Sequence, residues 1–218
     1  LNNLLKLRGF LNLFLISQNL FLRTILLVSV QAYLIKKTGL IGVDELATMS
    51  ILLVIFSFSS FTLDAFAHSA ESTVGVSIGS RNKRNIYKSI KYTTELALTF
   101  SIILGIILHI TEYYLISLFT DINVLKNLTI EVWGLVVITP FISMLAFQLD
   151  GIFIGATLAK EMRNCIIFSS IIFYLTIESF IGNSLNLKSL YSCFLLFLIL
   201  RGVFLTIYLP RVFKLVKN

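Results

Sequence analysis

Six long apolar runs, at about residues 10–35, 45–78, 88–110, 126–158, 165–182 and 188–209, dominate this chain. A helix needs about 20 such residues to cross roughly 30 Å of bilayer hydrocarbon, and most of the runs reach that length. The fifth lies at the short end of the range, whereas the second and fourth exceed it and must tilt or project beyond the bilayer. Charged residues make up only 13% of the chain and the mean hydropathy is +0.92, against about 25% charged residues in a soluble domain. So much apolar surface cannot be buried within 218 residues, and much of it must face acyl chains. The first run is too long for a signal-peptide core and lacks a small-residue cleavage site. The expected fold is therefore an all-α membrane protein, a single six-helix transmembrane lobe spanning 1–218.

Basic residues set the expected orientation. With the N-terminus in the cytosol, twelve Lys and Arg fall inside, including Arg81, Lys83, Arg84, Lys88, Lys91, Lys160 and Arg163. Four fall outside, at Lys36, Lys37, Lys126 and Lys188. That bias predicts cytosolic N- and C-termini in a cell membrane. It also accounts for the net charge of +7 without nucleic acid. Arg23 and Arg201 remain within spans.

The second run carries a polar stripe of Ser57, Ser60, Asp64, His68, Glu71 and Gly75, spaced by three or four residues and so on one helix face. Carboxylates at membrane depth are costly unless they face water or partners, so this stripe is expected to point inward. Arg23 lies about 20 Å from either end of its run, too deep to reach the interface easily. Asp64 or Glu71 is its expected counter-charge, either as a structural lock or as a pair that opens when a carboxylate exchanges protons. Burial favours a neutral carboxyl and a neighbouring guanidinium a charged one, so such a group can be poised to exchange protons. The same carboxylates, with hydroxyls and carbonyls, would also suit a small hard cation. His68 could relay protons or simply fill space.

Other polar groups are less telling. Asp150, after Gln148 in the fourth run, either lines the same cavity or caps a segment at the interface. Glu178 is expected to be buried, with Glu95 and Glu131 nearer span ends. The small-residue pairs Gly75/Gly79 and Gly151/Gly155 favour close helix approach, with Gly75 and Gly155 also possible gate points, as is Pro140. An echo of Leu63-Asp64-Ala65 in Leu149-Asp150-Gly151, each followed by small residues and a basic turn, suggests an internal repeat. Cys165 and Cys193 sit in apolar runs with no metal-type spacing and read as packing residues. There is no phosphate loop, metal set or nucleophile motif, so neither an enzyme nor a cofactor is expected.

The segments Phe21-Leu22-Arg23-Thr24, Leu63 to Glu71 and Val74 to Gly79 resemble the second half of a MATE (multidrug and toxic compound extrusion) transporter. Leu149 to Thr157, with Met162-Arg163-Asn164, is similar to the DNA-damage-inducible branch of that family. Ala65 stands where that branch usually has glycine, and His68 and Ser69 replace more apolar residues. The resemblance implies one lobe of a twelve-helix exporter, these spans matching helices seven to twelve. It implies a proton or sodium gradient as driving force, organic cations as cargo, and a separate N-terminal six-helix lobe as partner. The start at Leu1 suggests a fragment, an unusual start codon or a split gene. The alternatives are a lipid-linked precursor flippase of the same superfamily and a non-transporting membrane remnant or assembly subunit.

Overall fold

The computed structural model describes residues 7–181 and 186–216, and those residues are helical throughout apart from short turns. Eight α-helices follow one another: α1 (Leu7–Gly39), α2 (Val43–Gly79), α3 (Lys83–Ile110), α4 (Glu112–Phe119), α5 (Asn123–Gly155), α6 (Ala159–Thr176), α7 (Leu187–Tyr208) and α8 (Pro210–Lys214). A π turn, Ile177–Ile181, extends α6. The protein is an all-α membrane protein. Five of its helical segments are long and apolar enough to cross a bilayer: Phe14–Gly39, Val43–Gly79, Lys83–Ile110, Asn123–Gly155 and Leu187–Lys214.

The fifth expected span, 165–182, corresponds to α6, which departs from expectation in two ways. It begins earlier, at Ala159, and so takes in Lys160, Glu161 and Arg163; and its 18 α-helical residues reach about 27 Å. The short helix α4 was not foreseen. Its eight residues, Glu112–Phe119, make only about two turns, too few to register as a periodic signal.

Packing follows the apolar faces. α2 and α5 share the most extensive contact, α3 lies across both, and α7 packs on α5. α6 sits on α7, and α1 packs chiefly on α6 and only lightly on α2. The helices α1, α2, α5, α7 and α6 thus form a ring whose weakest seam is α1–α2. Two apolar clusters close the ring at different depths. One joins Val30, Phe56, Trp133, Phe173, Tyr191 and Phe194; the other joins Val74, Ile86, Ile152, Phe153, Met162 and Leu205. Between them the core is polar. Outward, Phe58, Phe61, Ile110 and Leu118 are exposed, as lipid-facing side chains should be. Cys165 and Cys193 are buried and free.

The α2–α5 contact is close because of glycine. A Cβ on Gly151 would overlap the backbone carbonyl of Ala67, and one on Gly155 would overlap that of Glu71. Gly75 faces Gly155 with room to spare, 3.5 Å from the Gly155 carbonyl oxygen to an added Cβ. The Gly151/Gly155 pattern therefore sets the close approach, as in other close helix pairs, whereas Gly75 makes only an ordinary contact and an added Cβ on Gly79 meets nothing within 4 Å. Pro140 is buried within a continuous α5.

Both α2 and α5 end in the same turn. Arg81 N–H donates to Ile78 O (3.0 Å) and Asn82 N–H to Ser77 O (3.3 Å); Thr157 N–H donates to Ile154 O (2.9 Å) and Leu158 N–H to Phe153 O (2.9 Å). These are Schellman motifs whose left-handed position holds Arg81 (φ 54°) and Thr157 (φ 57°) rather than glycine. They align Gly75 with Gly151 and Gly79 with Gly155. In that alignment Asp64 corresponds to Pro140, not Asp150, so the Leu-Asp echo in the sequence is not a structural equivalence.

Candidate functional site

A cavity of about 340 Å³ opens inside the ring between the two apolar clusters. α1 contributes Arg23, Leu27 and Gln31; α2 contributes Phe56, Ser60, Asp64, Ala67, His68 and Glu71. α5 adds Phe147, Asp150, Gly151 and Ile154, and α7 adds Phe194, Phe197, Leu198 and Arg201. The polar stripe on α2 does face inward, over the stretch from Ser60 to Glu71. Its ends do not. Ser57 lies outside the cavity and donates its hydroxyl to Leu53 O at 2.8 Å, while Gly75 is turned toward α5.

The counter-charge of Arg23 is Asp150, not Asp64 or Glu71. Arg23 Nη2 and Arg201 Nη2 both donate to Asp150 Oδ2, which joins α1, α5 and α7 through one carboxylate. Asp150 is 5% exposed and Arg201 3%, so these charges are held by one another rather than by water. Arg201 also stacks over the Phe147 ring, 5.2 Å from its centroid, a favourable place for a desolvated guanidinium. α1 packs chiefly on α6 and only lightly on α2, and its Arg23 side chain reaches across the cavity to Asp150 on α5.

With Asp150 engaged, Asp64 is left with no ion pair or hydrogen bond among the described residues, and it is half-buried. Glu71 Oε2 lies 3.2 Å from His68 Nδ1, one helical turn apart, a hydrogen bond when that nitrogen carries the proton. His68 is open, its side chain 76% exposed. Ser60 lines the wall with its hydroxyl donated to Ser57 O at 2.9 Å.

Glu178 is not buried. It sits in the π turn at the end of α6, where it accepts hydrogen bonds from Tyr33 and, at 2.7 Å, from Lys37 Nζ. Ser29 Oγ and Tyr174 OH, 2.9 Å apart, and Arg163 Nη1 donating to Asn19 Oδ1 at 2.8 Å brace the same two helices. α1 and α6 are thus tied along their length, far from the α2 stripe. Arg201 is the site residue that the sequence reading did not single out. Its signal was a lone guanidinium inside an otherwise uncharged apolar run.

This arrangement of helices and charges meets an independent finding: the sequence profile called MatE matches residues 20–176, most of the chain. The chain belongs to the MatE family. Members of this family are membrane transporters rather than enzymes, and the protein is accordingly a multi-pass membrane protein. The chain is also 26% identical, over 197 residues, to the DNA damage-inducible protein F of Escherichia coli strain K12. That alignment covers 89% of this MatE chain and 42% of the relative, so the chain spans less than half the length of that protein.

Proposed function

We propose that this chain is the C-terminal six-helix lobe of an antiporter, coupled to protons or sodium, that exports cationic or amphiphilic compounds across the cell membrane. Its partner is an N-terminal lobe carried on a separate chain or segment, and both termini of this lobe face the cytosol. The observation that carries the reading is the charge of the cavity. Two guanidiniums face three carboxylates, leaving one net negative charge with His68 neutral. One proton, one sodium ion or one organic cation neutralises that charge, so the coupling ion and the cargo exclude each other. Such exclusion is the physical basis of exchange, because each ligand shifts the equilibrium only through its differential affinity for the two states.

Asp64 is the proposed exchanging group, since it alone of the three carboxylates lacks a partner among the described residues. Glu71 with His68 forms the approach to it. Asp150 with Arg23 and Arg201 is the frame that holds α1 against α5 and α7, and Gly151 and Gly155 keep α2 close to α5. The ring faces of Phe56, Phe147, Phe194 and Phe197 around the charge suit an amphiphilic cation. A net negative wall disfavours the anionic headgroup of a lipid-linked precursor.

The test is to co-express the chain with the N-terminal half of the E. coli relative in cells lacking their own exporters, and to follow efflux of a cationic dye. The expected result is efflux with the native lobe and its loss in Asp64→Asn and Glu71→Gln. Undiminished efflux in both variants would remove the site assignment. Absence of efflux in every pairing would favour a non-transporting remnant or assembly subunit.

A further inference from the structure

A second groove, of about 500 Å³, lies on the other side of α2, between its last turns and the first turns of α3. α2 lines it with Ser72, Thr73, Val76 and Ser77, and α3 with Asn85, Lys88, Ser89, Tyr92 and Thr93. It shares no residue with the central cavity, although Glu71 and Ser72 are neighbours in the chain.

The two walls differ chemically. Most hydroxyl protons of the floor are already committed: Ser72 donates to Ser69 O at 3.1 Å, Thr73 to Ser69 O at 2.8 Å, Ser77 to Thr73 O at 2.8 Å and Thr93 to Ser89 O at 2.8 Å. The oxygens of Ser72 and Thr73 are left as acceptors, whereas Ser77 Oγ is paired with Ser89 Oγ at 3.0 Å and Thr93 Oγ1 accepts from Gln148 Nε2 at 2.7 Å. On α3, by contrast, the Asn85 amide, the Lys88 ammonium and the Tyr92 phenol have no hydrogen-bond partner among the described residues. Their spacing of three and four puts all three on one helix face, spread over about 10 Å. No acidic residue lines the groove. Around it stand Arg81, Lys83, Arg84 and Lys91, of which only Lys91 meets a carboxylate, Glu95 at 3.8 Å. Tyr87 and Tyr92 are 60% and 57% exposed, as aromatic residues are at the bilayer interface.

We infer that this groove is a binding site for the headgroup of an anionic phospholipid of the cytosolic leaflet, its phosphate held by Lys88, Asn85 and Tyr92 and its hydroxyls by the floor of α2. Three convergent donors and a cluster of positive charge match a phosphodiester, and clusters of basic residues just inside a span attract anionic lipid. The acceptor oxygens of Ser72 and Thr73 match the donor hydroxyls of a glycerol headgroup. The site does not depend on the transport reading, but its placement in the cytosolic leaflet rests on the orientation proposed above.

The experiment is native mass spectrometry of the full chain after extraction from vesicles of phosphatidylglycerol and phosphatidylcholine in equal amounts. The native chain should retain phosphatidylglycerol preferentially, and Lys88→Gln should lower its retention about fivefold, the effect of one basic residue near a charged membrane surface. Tyr92→Phe, which keeps the ring, should lower it less, and Lys160→Gln, an exposed lysine outside the groove, should leave it unchanged. Equal retention by the native chain and Lys88→Gln would overturn the site. So would an equal loss in Lys160→Gln, which would mean diffuse surface charge and no pocket. Circular dichroism of each variant confirms the fold, and Tyr92→Phe, which removes a single hydroxyl, keeps the question answerable if Lys88→Gln misfolds.

Discussion

Two glycines that look alike in the sequence should behave oppositely when changed to alanine. A Cβ at position 75 would sit 3.5 Å from the Gly155 carbonyl oxygen, an ordinary contact. Gly75→Ala then gains the helix preference of alanine, about 1 kcal/mol. A Cβ at position 151 would instead overlap the backbone carbonyl of Ala67. Backbone cannot rotate away, so α2 and α5 must separate along their whole contact, at an overpacking cost of about 1–3 kcal/mol. The helix preference is common to both substitutions and cancels, so the two variants should differ by the overpacking cost of about 1–3 kcal/mol. For a chain of this length each kcal/mol moves Tm by about 2–4 °C. Trp133, the single tryptophan, is 2% exposed and donates its Nε1–H to Leu108 O at 3.2 Å, so its emission reports unfolding directly. Thermal melts in one detergent should show Gly75→Ala at or above the native Tm and Gly151→Ala clearly below it. Equal Tm values for the two variants would refute the close approach at Gly151.

Other predictions concern single groups. Thr157→Gly should stabilise the chain by about 1–2 kcal/mol, because it relieves a β-branched residue of the left-handed conformation; the same melt reads it as a rise in Tm. Gln148→Leu removes the 2.7 Å bond from Nε2 to Thr93 Oγ1 but also an Oε1 that is buried without a partner, so its effect should stay within about 1 kcal/mol, whereas Gln148→Glu, which puts a charge there, should unfold the protein at markedly lower temperature. Glu178→Gln should leave Tm unchanged within error, since the carboxylate is more than half exposed and screened by solvent.

How much of this was legible beforehand depends on which interactions are local. Helix existence is local: runs of apolar residues and the spacing of Ser60, Asp64 and Glu71 announced the long helices and the inward face of α2. Which carboxylate meets Arg23 is not local. It depends on α1 leaning toward α6, a choice made by contacts such as Tyr33 with Tyr174, whose rings lie 4.8 Å apart, at positions with no common period. The same holds for Glu178, whose apolar neighbours in sequence suggested burial while the π turn carries it outward to Lys37. The Leu-Asp echo misled because two residues matched by chance, whereas the true correspondence lies in backbone turns that Arg81 and Thr157 adopt without the usual glycine. Arg201 was visible as an oddity, but its role required α7 to be placed beside α5.

The central claim is that Asp150, and not Asp64, is the direct counter-charge of both Arg23 and Arg201, leaving Asp64 without an ion pair among the described residues. Double-mutant cycles read by Trp133 unfolding test it most directly. Asp150→Asn alone should cost about 3–5 kcal/mol, because it leaves two guanidiniums without their carboxylate. Combined with Arg201→Met it should show a coupling of about 1–3 kcal/mol, while Asp64→Asn combined with Arg23→Met should show a clearly smaller one, since those two charges meet only through space across the shared cavity. A larger coupling between Asp64 and Arg23 than between Asp150 and either arginine would contradict the account.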